Sequence, residues 1–227
     1  DQIEDILKIK RLLGKKDEEI FDLFLLQYEI KCIKSIFRKL FSDDKTDDII
    51  IQNVKRWTVR IFDDIKGIET VQNFYEFFEA IKRMKYNKIL KKYQEQEKIN
   101  VFEVENEMDK LYFETLYDKV KLDANLKKII GSEIDLLNVL WIFRIKKYYN
   151  FDSEEIKKVL INRYYKLNQN IINKIIQANS FQEIKEIMEK TVYKAVFTQE
   201  EDFEQKIDQY LYDINKKIFQ NDIMSVA

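Results

Sequence analysis

Apolar residues recur every three or four positions through almost the whole chain, the spacing of amphipathic helices, and no segment reads better as strand. Ile3, Ile6, Leu7, Ile9, Leu12 and Leu13 make a first stripe that stops at Gly14. Asp17 then reads as an N-cap for a long helix over 20–41. The polar run SDDKTDD at 42–48 is a loop signal. Helical spacing resumes over 48–64, over 70–81, where Phe74, Phe77, Phe78 and Ile81 share a face, and over 85–96. Asn100 reads as the cap of a helix whose stripe is Val101, Val104, Met108, Leu111 and Leu116. A long helix is expected over 126–149, followed by a start in which Asp152 or Ser153 is answered by Glu154 or Glu155. Further helices are expected at 168–177, at 181–196 after the capping phrase NSFQEI, and at 199–219, with the closing MSVA frayed. The pattern therefore predicts an all-α protein.

One helical phrase occurs twice. YEIKCIKSIFR at 28–38 returns as IDLLNVLWIFR at 134–144, with Glu29 over Asp135 and Arg38 over Arg144 at a constant offset of 106. MKYNKIL at 84–90 answers to TVYKAVF at 191–197, with Tyr86 over Tyr193 at an offset of 107. ENEMDKLYF at 105–113 answers to EQKIDQYLY at 204–212, at an offset of 99. Three matches in one order mark a supersecondary unit used more than once. The expected organisation is a leading helix and the start of the long helix at 1–27, as the tail of a preceding unit, then one helical unit at 28–120 and a second at 121–227.

Composition supports the helical reading, because proline is absent and only Gly14, Gly67 and Gly131 are glycine. Forty basic and 41 acidic residues are interspersed to a net charge of −1, so the basic face of a nucleic-acid binder is missing. Cys32 is the single cysteine and has no disulfide partner within the chain, which fits a reducing compartment. No apolar run approaches the ~18 residues of a membrane span, the densest, 136–145, being broken by Asn138 and Arg144.

The absence of histidine excludes imidazole bases, Cys-His and Ser-His-Asp arrangements and nearly all zinc and iron sites. Three scattered glycines make no phosphate-cradling loop. Carboxylate pairs remain, such as Glu105 with Asp109 and Glu204 with Asp208, each on one helix face, but in a chain with 36% charged residues such pairs arise mainly as solvated faces. Catalytic residues, cofactor and metal are therefore not expected. The stretch 133–144 is apolar except at Glu133, Asp135, Asn138 and Arg144 and must lie inside the protein. Asp135 and Asn138 share a side; Arg144 points the opposite way, about 13 Å along the helix. Buried polar groups need partners, so these residues either hold neighbouring helices or line a cavity that takes another protein. The candidate structural or socket residues are Glu29, Arg38, Glu133, Asp135, Asn138 and Arg144.

QNFYEFFEAIKRMKYNKIL at 72–90, VFEVENEMDKLYFETL at 101–116 and IIGSEIDLLNVLWIFRIKKYYNFDSEEIKKVLI at 129–161, in this order, resemble the C subunit of the V-type (A-type) ATPases, the counterpart of the d subunit of eukaryotic V-ATPases. Glu133, Ile134, Asp135, Asn138 and Arg144, then Ser153, Glu154, Glu155 and Ile156, match the family wording. Tyr28, Glu29, Lys34 and Arg38 match it in the first copy, with Cys32 where Asn is usual. The resemblance implies three similar helical units around a pseudo-threefold axis, two of them visible here and one expected before Asp1, forming a funnel. It implies a non-catalytic central-stalk component on the cytoplasmic face of a membrane, linking the rotor shaft to the proteolipid ring for proton or sodium transport. NRYYKLNQN at 162–170 departs from the family, which has a proline-glycine turn there. The alternative is a helical-repeat scaffold that binds another protein through a concave face, with its units stacked along an axis.

Overall fold

The computed structural model describes residues 2–40, 68–82, 84, 86–94, 96 and 99–225. The loop expected at 42–48 and the helix expected over 48–64 lie outside the described residues, as do parts of 85–96. Among the described residues there are ten α-helices and no strand. The chain divides into two compact units, Asp1–Tyr112 and Phe113–Ala227.

In the first unit, α1 (Gln2–Leu12) and α2 (Lys15–Lys39) flank Gly14. The long helix begins earlier than its capping signal suggested. Gly14 is the extended N-cap, which leaves Asp17 and Glu18 inside the first turn, where they complement the positive end of the helix dipole. α3 (Phe74–Ala80) starts at Asn73, whose side chain accepts the Glu76 N–H at 2.9 Å. Its Phe77 and Phe78 are buried, and Phe74 and Phe77 pack tilted against Phe37 of α2 at centroid distances of 5.7 and 5.4 Å. A short α4 (Asn87–Leu90) runs into one 3-10 turn, Lys91–Tyr93, where a single helix was expected. α5 (Val101–Val120) starts where Asn100 accepts the Phe102 N–H at 3.1 Å.

α6 (Ala124–Tyr148) is capped by Asp123 and is the core helix of the second unit, burying Ile134, Leu136, Val139, Ile142 and Ile145. α7 (Ser153–Val159) opens with a full capping box in which Asp152 binds the Glu155 N–H and the Glu155 side chain binds back. α8 (Gln169–Gln177) buries Ile172, Ile175 and Ile176 on one face. α9 (Phe181–Met188) begins with Ser180 accepting the Glu183 N–H and ends well before residue 196. The Thr191 hydroxyl donates to the Met188 carbonyl and accepts the Tyr193 N–H, so a side chain takes over backbone groups that a longer helix would use. α10 (Phe203–Ser225) packs along α6.

Candidate functional site

In each unit an arginine on one long helix clasps a glutamate on another. In the first, Arg38 on α2 grips Glu105 on α5, Nε on one carboxylate oxygen and Nη2 on the other. In the second, Arg144 on α6 grips Glu204 on α10 through the same atoms, at 3.0 and 2.5 Å. The four residues are the pairs that the offsets of 106 and 99 set in correspondence. A planar guanidinium on a carboxylate fork fixes the orientation of both partners as well as their charge. The mutual pull is seen in both groups of the second clasp: Glu204 holds the Arg144 pKa above its usual range, and Arg144 holds the Glu204 carboxyl below its own.

The correspondence extends to helix starts and rings. Asn73 caps α3 and Ser180 caps α9, each receiving the N–H of a glutamate three residues on, Glu76 or Glu183. That glutamate reaches back to the N–H preceding its cap, of Gln72 or Asn179, at 2.9 Å in both. Phe74 meets Phe37 in one unit; Phe181 meets Phe143 in the other, at 5.8 Å. The offset of 107 that pairs Tyr86 with Tyr193 also pairs Asn73 with Ser180 and Phe74 with Phe181, a signal present in the sequence as N-F-x-E and S-F-x-E, while Phe37 and Phe143 stand at the offset of 106.

Asp135 and Asn138 are fully buried, at 0% exposure, and both turn toward the connection between α7 and α8. The Asp135 carboxylate accepts three successive backbone N–H groups, of Tyr165 at 3.0 Å, Lys166 at 2.7 Å and Leu167 at 3.0 Å. The Tyr193 hydroxyl donates a fourth bond at 2.8 Å. Asn138 donates to the Ile161 carbonyl at 3.0 Å and accepts the Ile161 N–H at 2.9 Å. Gly131, one turn before Asp135, makes room for this connection: a Cβ there would sit 2.6 Å from Cβ and 2.7 Å from Cγ of Tyr165. Positions 131, 135 and 138 thus form one stripe of α6 that binds irregular backbone. From the far side, Asn162 N–H donates to Glu114 at 3.1 Å, Arg163 grips Asp118 at 3.1 and 2.5 Å, and the Tyr117 hydroxyl donates to the Tyr164 carbonyl at 3.1 Å. A segment without proline or glycine is held in shape by side chains from outside it.

Burial pushes the Asp135 carboxyl up while the three amides and Tyr193 pull it back. Burial and the nearby Asp135 charge raise Tyr193 in turn. Glu29, which corresponds to Asp135, stands beside the buried Tyr86 hydroxyl and raises its pKa together with burial, so the carboxylate–tyrosine neighbourhood recurs in the first unit. Glu29 and Glu133 are themselves half-buried. Arg144, placed by the sequence on the opposite side from Asp135, is half-exposed, at 49%. Of the carboxylate pairs, Glu105 and Glu204 are held by arginines, and Asp109 by Lys34 at 2.7 Å. Among the described residues no group of three or more histidine, cysteine, aspartate or glutamate side chains could hold a metal ion. The destination of Asp135 and Asn138 is not legible in the sequence, because nothing in the connection at 161–167 marks it as held.

These residues define an all-helical scaffold whose interior polar groups fasten its own helices and connections. The chain belongs to the ATP synthase (C/AC39) subunit family, which matches residues 2–227. The C subunit of the A-type ATP synthase of Methanosarcina barkeri is 24% identical over 159 residues, and that of Methanosarcina mazei 25% over 161. Its equivalent in Methanosarcina acetivorans is 26% identical over 161 residues. Each alignment takes in 68% of this chain and 43% of the relative, so the chain spans less than half the length of the relatives it matches. No described helix is long and apolar enough to cross a membrane.

Proposed function

We propose that the chain acts as the non-catalytic coupling subunit of the central stalk of a rotary V/A-type ATPase, joining the rotor shaft to the membrane proteolipid ring on the cytoplasmic face. The observation that carries this reading is the arginine–glutamate clasp that recurs between the long helices of both units, at corresponding positions and through the same atoms. A part that passes torque must resist deformation, and bidentate clasps, paired caps and packed rings between helices supply stiffness without chemistry. Family membership supports the same assignment. On this reading the two units are copies of one design related by rotation, with a third completing a pseudo-threefold socket for the shaft, and the partners are the shaft proteins and the proteolipid ring. The half-exposed clasp residues Arg38 and Arg144 are the candidates for its rim; Asp135 and Asn138 are its internal fastenings.

The test is capture from native membranes with the tagged chain. Recovery of proteolipid and shaft proteins together is the expected result. Recovery of neither, from membranes whose ATPase is intact, overturns the reading.

A further inference from the structure

The stripe that includes each clasp glutamate continues along its helix, and there the two units differ. On α5 it reads Glu105, Asp109, Phe113; on α10, at the offset of 99, Glu204, Asp208, Tyr212. Each set is spaced by four residues and lies on one helix face. The α5 stripe is satisfied within the chain. Lys34 of α2 donates to both oxygens of Asp109, at 2.9 and 2.7 Å, and Phe113 is 6% exposed. Beyond Glu204 the α10 stripe is not covered. The position of Lys34 is taken by Leu140 in α6, a side chain with no charge to offer. Asp208 is exposed and among the described residues has no salt bridge, its charged neighbour Arg144 being already clasped to Glu204. Tyr212, one turn further, is 59% exposed and carries Lys216 at 6.0 Å from its ring centre.

We propose that the Asp208–Tyr212 face of α10 is a docking surface for a partner protein segment that brings a lysine or arginine to Asp208 and an apolar side chain to Tyr212. The chemistry of the occupant is read from α5, where the corresponding acid, Asp109, takes a lysine from a neighbouring helix and the corresponding aromatic, Phe113, is buried. An exposed aspartate beside an exposed tyrosine, one helical turn apart, is complementary to a basic-apolar helix, and tyrosine is among the residues that anchor interfaces. The proposal deepens the coupling-subunit reading by naming where one partner binds, but its chemistry does not depend on which protein supplies the segment.

A photoreactive benzophenone side chain in place of Tyr212, in the full chain incubated with native membranes, tests it. The expected adduct lies in a segment of another protein with a lysine or arginine within one turn of an apolar residue, and Asp208→Lys lowers its yield tenfold or more. The melting temperature of Asp208→Lys stays within about 2 °C of the parent, because both side chains are exposed. An adduct of that chemistry in a protein outside the rotary ATPase upholds the docking surface and overturns the coupling role. No intermolecular adduct, an adduct in an acidic segment or in a second copy of this chain, or a yield indifferent to Asp208→Lys overturns the docking surface.

Discussion

Asp135 has no salt bridge among the described residues, so its charge is balanced by dipoles: three amides in a row and one phenol. Asp135→Asn presents an amide nitrogen to N–H donors in either orientation, since both carboxylate oxygens accept, and leaves buried donors without partners. A loss of about 2–4 kcal/mol in urea unfolding is expected. Gly131→Ala tests the same connection by shape. The added methyl meets Tyr165 Cβ and Cγ, and Tyr165 cannot retreat because its N–H is bound to Asp135. The expected cost is about 1–3 kcal/mol, shrinking in a Tyr165→Gly background that removes both clashing atoms; equal costs in the two backgrounds would disprove the contact. Cys32 allows a pH test. Burial, with the Glu29 charge, pushes its thiol up to about 11. The folded thiol holds its proton more tightly than the unfolded one, whose pKa is about 8.5. Its contribution to stability is therefore intact below that pH and lost as pH rises toward 11. Alkylation of the native protein at pH 8 should be slow, with the thiolate roughly a thousandth of the total, and should accelerate up to pH 11.

At the scale of elements, the pairs that tie helices together differ in burial and so in worth. Arg144 and Glu204 are 49% and 45% exposed, so Arg144→Ala should cost under about 1 kcal/mol by chemical denaturation despite the ideal fork. Lys34 and Asp109 are more enclosed, at 14% and 30%, and burial raises the Asp109 carboxyl even with the lysine beside it. Lys34→Ala strands that acid and should cost more than Arg144→Ala, by about 1 kcal/mol or more. Helix starts were the most legible part of the sequence. Asn100, Asp152 with Glu155, and Ser180 with Glu183 carry their own capping chemistry and act where their residue types indicate. Helix ends were harder, because α9 is stopped by the Thr191 side chain and α4 gives way to a 3-10 turn, neither of which breaks the apolar spacing. Glu133, Asp135, Asn138 and Arg144 could be named from their apolar surroundings, and Glu29 and Arg38 from the repeat. Their partners could not, since Asp135 and Asn138 bind backbone some 23 to 32 residues away, which has no side-chain signature.

At the scale of the whole chain, the boundary between the compact units falls between Tyr112 and Phe113, in the middle of the uninterrupted helix α5. Glu105 and Asp109 fasten the first half of α5 to α2, while Glu114 and Asp118 fasten the second half to the 161–167 connection. Melting one unit alone would leave half of α5 without its packing and create a new frayed end in mid-helix. Helices of about ten residues are marginal on their own, so that end would propagate unfolding into the surviving half. One cooperative transition is therefore expected for the two units. Lys34→Ala in the first and Gly131→Ala in the second should both shift that same transition in calorimetry, with the calorimetric and van't Hoff enthalpies remaining equal. Two resolved peaks, each moved by only one of the substitutions, would show that α5 breaks at the boundary and transmits nothing. The proposed coupling role requires the first outcome, because a helix that yields along its length cannot carry load.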